Sequence, residues 1–150
     1  MATRGPWLHE RRWPEVREYL EREDVVLLPV GSTEQHGRHL PLMTDAAEAI
    51  AVAVEAGDRA DVLVAPPLWL GWTPHHMSYP GTVTLRAETL TAVIEDVCTS
   101  LAYHGFKRIL IVNGHRVANL PPIEIAVVRV RNRTGAYVLV YDLALSARVE

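Results

Sequence analysis

Val25 to Val30 is an unbroken apolar run, rich in valine and ended by Gly31-Ser32-Thr33. Such a run reads as a strand buried on both faces, not as an amphipathic helix, and belongs in the middle of a sheet. A strand of that kind needs cover on both sides, and the chain supplies the elements for it. Ala46 to Val54, rich in alanine and preceded by Thr44 and Asp45, reads as a helix with Gly57 as its stop. Val62 to Ala65 is a second short strand ended by Pro66-Pro67. Leu68 to Tyr79 carries two tryptophans and two histidines without any period and describes a long loop. Thr82 to Leu85 reads as a brief strand.

Leu90, Val93, Ile94, Val97 and Leu101 then recur at helical spacing, and Gly105 closes that helix. Ile109 to Val112 is the next buried strand and ends at Asn113-Gly114-His115. Asn119 reads as the N-cap of a helix whose first turn tolerates Pro121 and Pro122, with Ile123, Ala126, Val127 and Val130 on the buried face. Tyr137 to Tyr141 is the last apolar strand, followed by Asp142. The alternation predicts an α/β fold, a three-layer α/β/α sandwich with a mostly parallel sheet, as one domain over residues 1–150.

At 150 residues and 49% hydrophobic, the chain can build the core that this fold needs. Fifteen basic and eighteen acidic residues are scattered along it, so no basic stripe points to nucleic acid or to a membrane surface. Trp7 to Glu21 mixes charges with aromatics, so the N-terminal region reads as neither signal peptide nor membrane span. Cys98 is the only cysteine, which excludes an intrachain disulfide and a thiolate zinc site and points to the cytoplasm.

In open parallel sheets, ligands gather beyond the carboxyl ends of the strands. The segments leaving those ends hold His36, His39, His75, His76 and His115, five of the seven histidines. Glu34 and His36 are two apart, so in an extended stretch both side chains point to one side, and Asp45 returns there after a loop. Carboxylate and imidazole donors suit zinc, manganese or ferrous iron, and a carboxylate such as Asp45 can bridge two ions.

Plainer roles exist for the same residues. Asp45 with Glu48 has the look of a helix cap, His36 with His39 could form a pair of its own, and the Gly31 turn could bind an anion. His76 could move a proton or merely tie a loop, while Trp69 and Trp72 could wall a substrate pocket or bury an oligomer contact. Asp142 leaves the last strand at the favoured edge and could add a carboxylate.

Gly31-Ser32-Thr33-Glu34-Gln35-His36-Gly37, His39-Leu40-Pro41-Leu42 and Thr44-Asp45 together resemble the signature of the creatininase family. His75-His76-Met77 with Tyr79-Pro80-Gly81-Thr82 resembles its second motif, and Asn113-Gly114-His115 its third. The resemblance implies Glu34, His36, Asp45 and His115 as ligands of one or two divalent ions, one ligand fewer than the family uses. It also implies that the fold is shortened at the C-terminus. Arg38 stands where the family commonly has proline, Met43 where it often has glycine, and His115-Arg116-Val117-Ala118-Asn119 is one residue longer than the usual third motif. The implied function is a metal-dependent amidohydrolase cutting a non-protein or cyclic C–N bond of a small-molecule amide, with His76 catalytic and Trp72 binding substrate. The alternative is a catalytically incomplete metal-binding or scaffold subunit that needs a partner chain, either as a homo-oligomer or with a complementing subunit.

Overall fold

The structure is a computed structural model that describes residues 5–146. The valine-rich run forms β1 (Val25–Val30), which pairs in parallel with β3 (Arg108–Asn113) along its whole length, from Val25 opposite Arg108 to Val30 opposite Asn113. β2 (Leu63–Val64) lies on the free side of β1 and β4 (Tyr137–Asp142) on the free side of β3, giving a parallel sheet in the order β2-β1-β3-β4. Val26, Leu28 and Val30 face one layer and Leu27 the other, and all four are buried, as a central strand requires.

One layer is α2 (Thr44–Ala60), whose Ala49 and Ala53 pack on Leu27, Val64 and Val112. Small side chains let this helix lie close to the strands. The opposite layer is α3 (Ala87–His104) with α4 (Arg116–Thr134). There Leu90, Ile94, Ile123 and Val130 meet Val26, Leu28, Ile109, Ile111 and Val138. Each such side chain, fully buried, contributes about 1.5–3 kcal/mol. The expected α/β sandwich is therefore present, with helices on both faces of the sheet.

Several boundaries differ from expectation. α2 runs past Gly57 and ends at Asp61, which takes the left-handed conformation with φ 53°. Gly57 serves instead as a contact point, since a Cβ there would stand 2.8 Å from the Val62 carbonyl oxygen and from a Val64 methyl. α4 starts at Arg116, so Asn119 lies inside the helix and Pro121 and Pro122 fall in its interior. Asn119 cannot act as the cap because its amide is committed to other segments, described below. Thr82 to Leu85 forms isolated bridges, Val83 with Thr33 and Thr84 with Gly71, in place of a strand.

α1 (Trp13–Arg22) was not foreseen from the mixed charges and aromatics of its segment. Pro14 stands in its first turn, and Glu15 reaches back to the Arg12 amide at 2.7 Å. Tyr19 enters the core and donates its hydroxyl to the Val25 carbonyl at 2.7 Å. A short last helix, α5 (Leu143–Ser146), follows β4. Among the described residues no helix is long and apolar enough to cross a membrane.

After β1 the chain goes to β2 on one side, then crosses through α3 to β3 on the other. The carboxyl ends of β1 and β3 thus lie side by side while their connections diverge, and the crevice that this creates is the place to look for a site.

Candidate metal centre

Glu34 and His36 arrive on the segment leaving β1, Asp45 on the first turn of α2, and His115 immediately after β3. The start of α2 can sit against both strand ends because the residues facing it are Gly31 and Gly114. A Cβ on Gly31 would come within 2.9 Å of the Ala46 Cβ, and one on Gly114 would overlap the Asp45 carbonyl oxygen. Asp45 does not cap α2. Its carboxylate lies between two imidazoles, with Oδ1 at 2.8 Å from His36 Nε2 and Oδ2 at 2.9 Å from His115 Nδ1. The Ser32 hydroxyl donates to Oδ2 at 2.7 Å.

Glu34 is 5% exposed, and its Oε1 stands 3.4 Å from His115 Nδ1. Its Oε2 accepts a short hydrogen bond from the hydroxyl of the buried Thr73. The Nδ1 of His36 faces the Glu34 backbone carbonyl at 3.2 Å. Donation from Nδ1 to a carbonyl is the usual way to fix an imidazole whose Nε2 binds a metal. Glu34, His36 and Asp45 each offer a ligand atom within 4.8 Å of the others'.

Burial pulls the His115 pKa down, but the hydrogen bond to Asp45 and the charges of Glu34 and Asp45 outweigh it and leave the pKa raised. Burial likewise pushes Asp45 up, and it is overcome by the bonds from His115 and Ser32 and by the charges of His115 and His36, so its carboxyl titrates below the ordinary range. The Trp72 carbonyl adds to the raise at His115, yet forms no hydrogen bond of ordinary geometry with the buried Nε2. Two buried carboxylates converging with imidazoles, one of them carrying an unpartnered buried nitrogen, is a donor set that a divalent cation fits.

His76 lies beside this group, with Nε2 3.8 Å from Glu34 Oε1. The Gly37 amide donates to Gln35 Oε1 at 2.9 Å, which turns Gln35 Nε2 toward His76 Nδ1, also at 2.9 Å. A donor facing Nδ1 leaves the proton of a neutral His76 on Nε2, the nitrogen near Glu34. The Trp72 amide is tied to Asn119 at 2.9 Å, and its half-buried indole lines a groove of about 230 Å3 with Thr91, Pro121 and Pro122.

Asn119 also donates to the Gly31 carbonyl at 3.0 Å and approaches Asn113 Oδ1 at 3.4 Å, so one buried amide ties together β1, β3 and the Trp72 loop. That role was invisible in sequence, where two following prolines suggested a cap. Asp142 does not join the donors: its oxygens accept from Asn113 Nδ2 at 3.0 Å and the Ala144 amide at 3.1 Å. Arg38, His39 and Met43 are exposed. His75, assigned no role in the sequence reading, comes within ligand reach of Glu34 and His115.

The creatininase family profile, described as creatinine amidohydrolase, matches residues 9–149. A creatinine amidohydrolase of Pseudomonas putida is 34% identical over 119 residues, 75% of this chain and 46% of that protein. A mycofactocin precursor peptide peptidase of Mycolicibacterium smegmatis is 46% identical over 98 residues, 61% of this chain and 39% of its own length. The chain thus spans less than half the length of these relatives. Among solved structures, a manganese creatininase superimposes with a TM-score of 0.85 at 30% identity, over 93% of this chain and 58% of that one. A Zn-Zn type creatininase variant gives 0.90 at 27% identity, over 97% and 61%.

Proposed function

The chain belongs to the creatininase family, and from that membership we propose that it is a hydrolase of a non-protein or cyclic C–N amide bond, acting through one or two divalent ions held by Glu34, His36, Asp45 and His115. The observation that carries this reading is the placing of Asp45, with one carboxylate oxygen facing His36 and the other facing His115, as a bridging ligand would be. Zinc, manganese or ferrous iron suits these donors, and the manganese and Zn-Zn relatives support the first two. When bound, such an ion supplies an acidified water and a charge that polarises the amide carbonyl.

This chain's residues supply the rest. Thr73 and Ser32 hold the Glu34 and Asp45 carboxylates in place. His76, its Nδ1 engaged by Gln35, keeps a proton on Nε2 and directs it as a hydrogen bond at the departing nitrogen; the proton that nitrogen gains as the C–N bond breaks is the one the attacking water loses, so His76 stays neutral. Trp72 walls the substrate side, its backbone fixed beside His115 by Asn119. The names of the two curated relatives compared above, one acting on creatinine and the other on a peptide precursor, support an amide as the substrate class.

Purified chain, loaded with zinc or manganese and offered small cyclic amides and formamides, should turn them over and lose that activity on chelation and in Glu34→Gln. Turnover indifferent to both would overturn the proposal. A second reading, a subunit completed by another chain or by a second copy, rests on Tyr137, Leu139 and Tyr141. They leave one side of edge strand β4 open at 54%, 44% and 41% exposure. Metal uptake without turnover by the isolated chain favours that reading.

A further inference from the structure

We propose that His75 is a metal ligand of this centre, completing the side formed by Glu34, Asp45 and His115; the proposal rests on the metal-dependent reading above. His75 sits in a 3-10 turn (Pro74–His76) that follows Thr73, and Thr73 is buried and bonded to the Glu34 carboxylate. The turn is therefore anchored at the metal group itself. One nitrogen of His75, one oxygen of Glu34 and one nitrogen of His115 all lie within 4.8 Å of one another. Ligand atoms sharing an ion at about 2.1 Å stand roughly 3–4 Å apart, so closing the set takes a shift of no more than about 1–2 Å. His75 is exposed and has room to make it.

His115 gives the second, independent sign. Its ring is 7% exposed, and Nε2 is buried with no hydrogen-bond partner, while the His75 ring lies parallel to it with centroids 6.1 Å apart. A buried imidazole nitrogen without a well-formed hydrogen bond is expensive, so the ring gains from a small turn that brings a nitrogen onto a bound ion, and its other nitrogen, Nδ1, already faces Glu34 and Asp45. The neighbouring His76 is a poorer candidate, because the Gln35 amide facing its Nδ1 keeps the proton of a neutral ring on Nε2, the nitrogen near Glu34.

Glu34 is then common to two overlapping donor sets, one with His36 and Asp45 and one with His75 and His115. Two adjacent ions would divide along that line, with Asp45 reaching both.

The test is titration of the metal-stripped chain with zinc alone and with manganese alone, by calorimetry and elemental analysis, together with the absorption spectrum of the cobalt(II) form. His75→Ala should weaken one binding step at least tenfold and alter the cobalt bands, while His39→Ala, at an exposed histidine outside both donor sets, leaves the affinities within about twofold. An isotherm and a cobalt spectrum unchanged in His75→Ala overturn the assignment of His75 and leave the metal-dependent reading standing. If the unaltered chain takes up no ion, both fall together.

Discussion

Gly114→Ala adds one methyl group where β3 meets the start of α2. Gly114 is not among the glycines with positive φ, so the backbone accepts alanine and the effect is steric. The new Cβ would overlap the Asp45 carbonyl oxygen and stand 3.0 Å from the Asp45 carbonyl carbon and 3.3 Å from the Ala49 Cβ. Carbon and carbonyl oxygen do not ordinarily approach closer than about 3.3 Å, so α2 must retreat by about 1 Å. Overpacking of this kind costs about 1–3 kcal/mol. The retreat carries Asp45 with it, and ligand positions tolerate only about 0.2 Å. Metal affinity should therefore fall by at least about tenfold. Gly135→Ala is the matched control, because its φ of 73° strains an alanine while nothing lies within 4 Å of the added methyl. It should cost about 1–2 kcal/mol in the left-handed conformation and leave the metal untouched. Urea denaturation gives the stabilities and calorimetry the affinities. If Gly114→Ala binds metal as tightly as Gly135→Ala, the close approach at Gly114 does not set the position of Asp45.

Thr73→Val removes the donor to Glu34 Oε2 and leaves a buried carboxylate oxygen unbonded, so stability should drop by about 1–3 kcal/mol and zinc affinity about tenfold or more, measured by thermal melts and titration. Asn119→Ala strands the Gly31 carbonyl and the Trp72 amide and should cost at least about 2 kcal/mol in urea denaturation. In the metal-free chain the raised His115 pKa contributes stability that is complete below the ordinary imidazole value near 6.5 and disappears as pH rises through the higher folded value. The lowered Asp45 pKa contributes stability that is present above the ordinary carboxylate range and disappears as pH falls through the folded value. Denaturation midpoints against pH should thus decline on the alkaline side of 6.5, and His115→Gln should flatten that limb; zinc affinity should instead rise with pH, because imidazole binds as the neutral form.

The strands were legible because β1, β3 and β4 are short apolar runs whose burial dominates local preference, as Val26, Leu28, Ile109 and Val138 show. Gly57 misled because a glycine in a helix signals a stop only when nothing else needs its missing side chain, and here β2 does. Asn119 misled for a related reason: the amide that suits a cap suits equally a buried junction of three segments, and sequence carries no record of which segments meet. Glu34, His36 and Asp45 could be singled out from donor chemistry after a strand end and His115 from the resemblance that Asn113-Gly114-His115 carries, and the fold brings all four together. His75 could not be separated from His76, since both stand in one 3-10 turn that brings the two rings to the Glu34 carboxylate. α1 hid because its apolar residues are few and its charges many, so its register emerges only from where Tyr19 lands.

The pairing of β1 with β3, from Val25 opposite Arg108 to Val30 opposite Asn113, has a thermodynamic corollary. Bringing His36 to His115 closes a loop of about eighty residues, an ordering cost of about 4 kcal/mol that the sheet has already met before any cation arrives. A cation held as proposed would find its donors assembled and need not organise them, unlike one that must fold a small domain around itself. Stripping it should therefore leave the sheet folded, and melts of the metal-free chain should keep a cooperative transition.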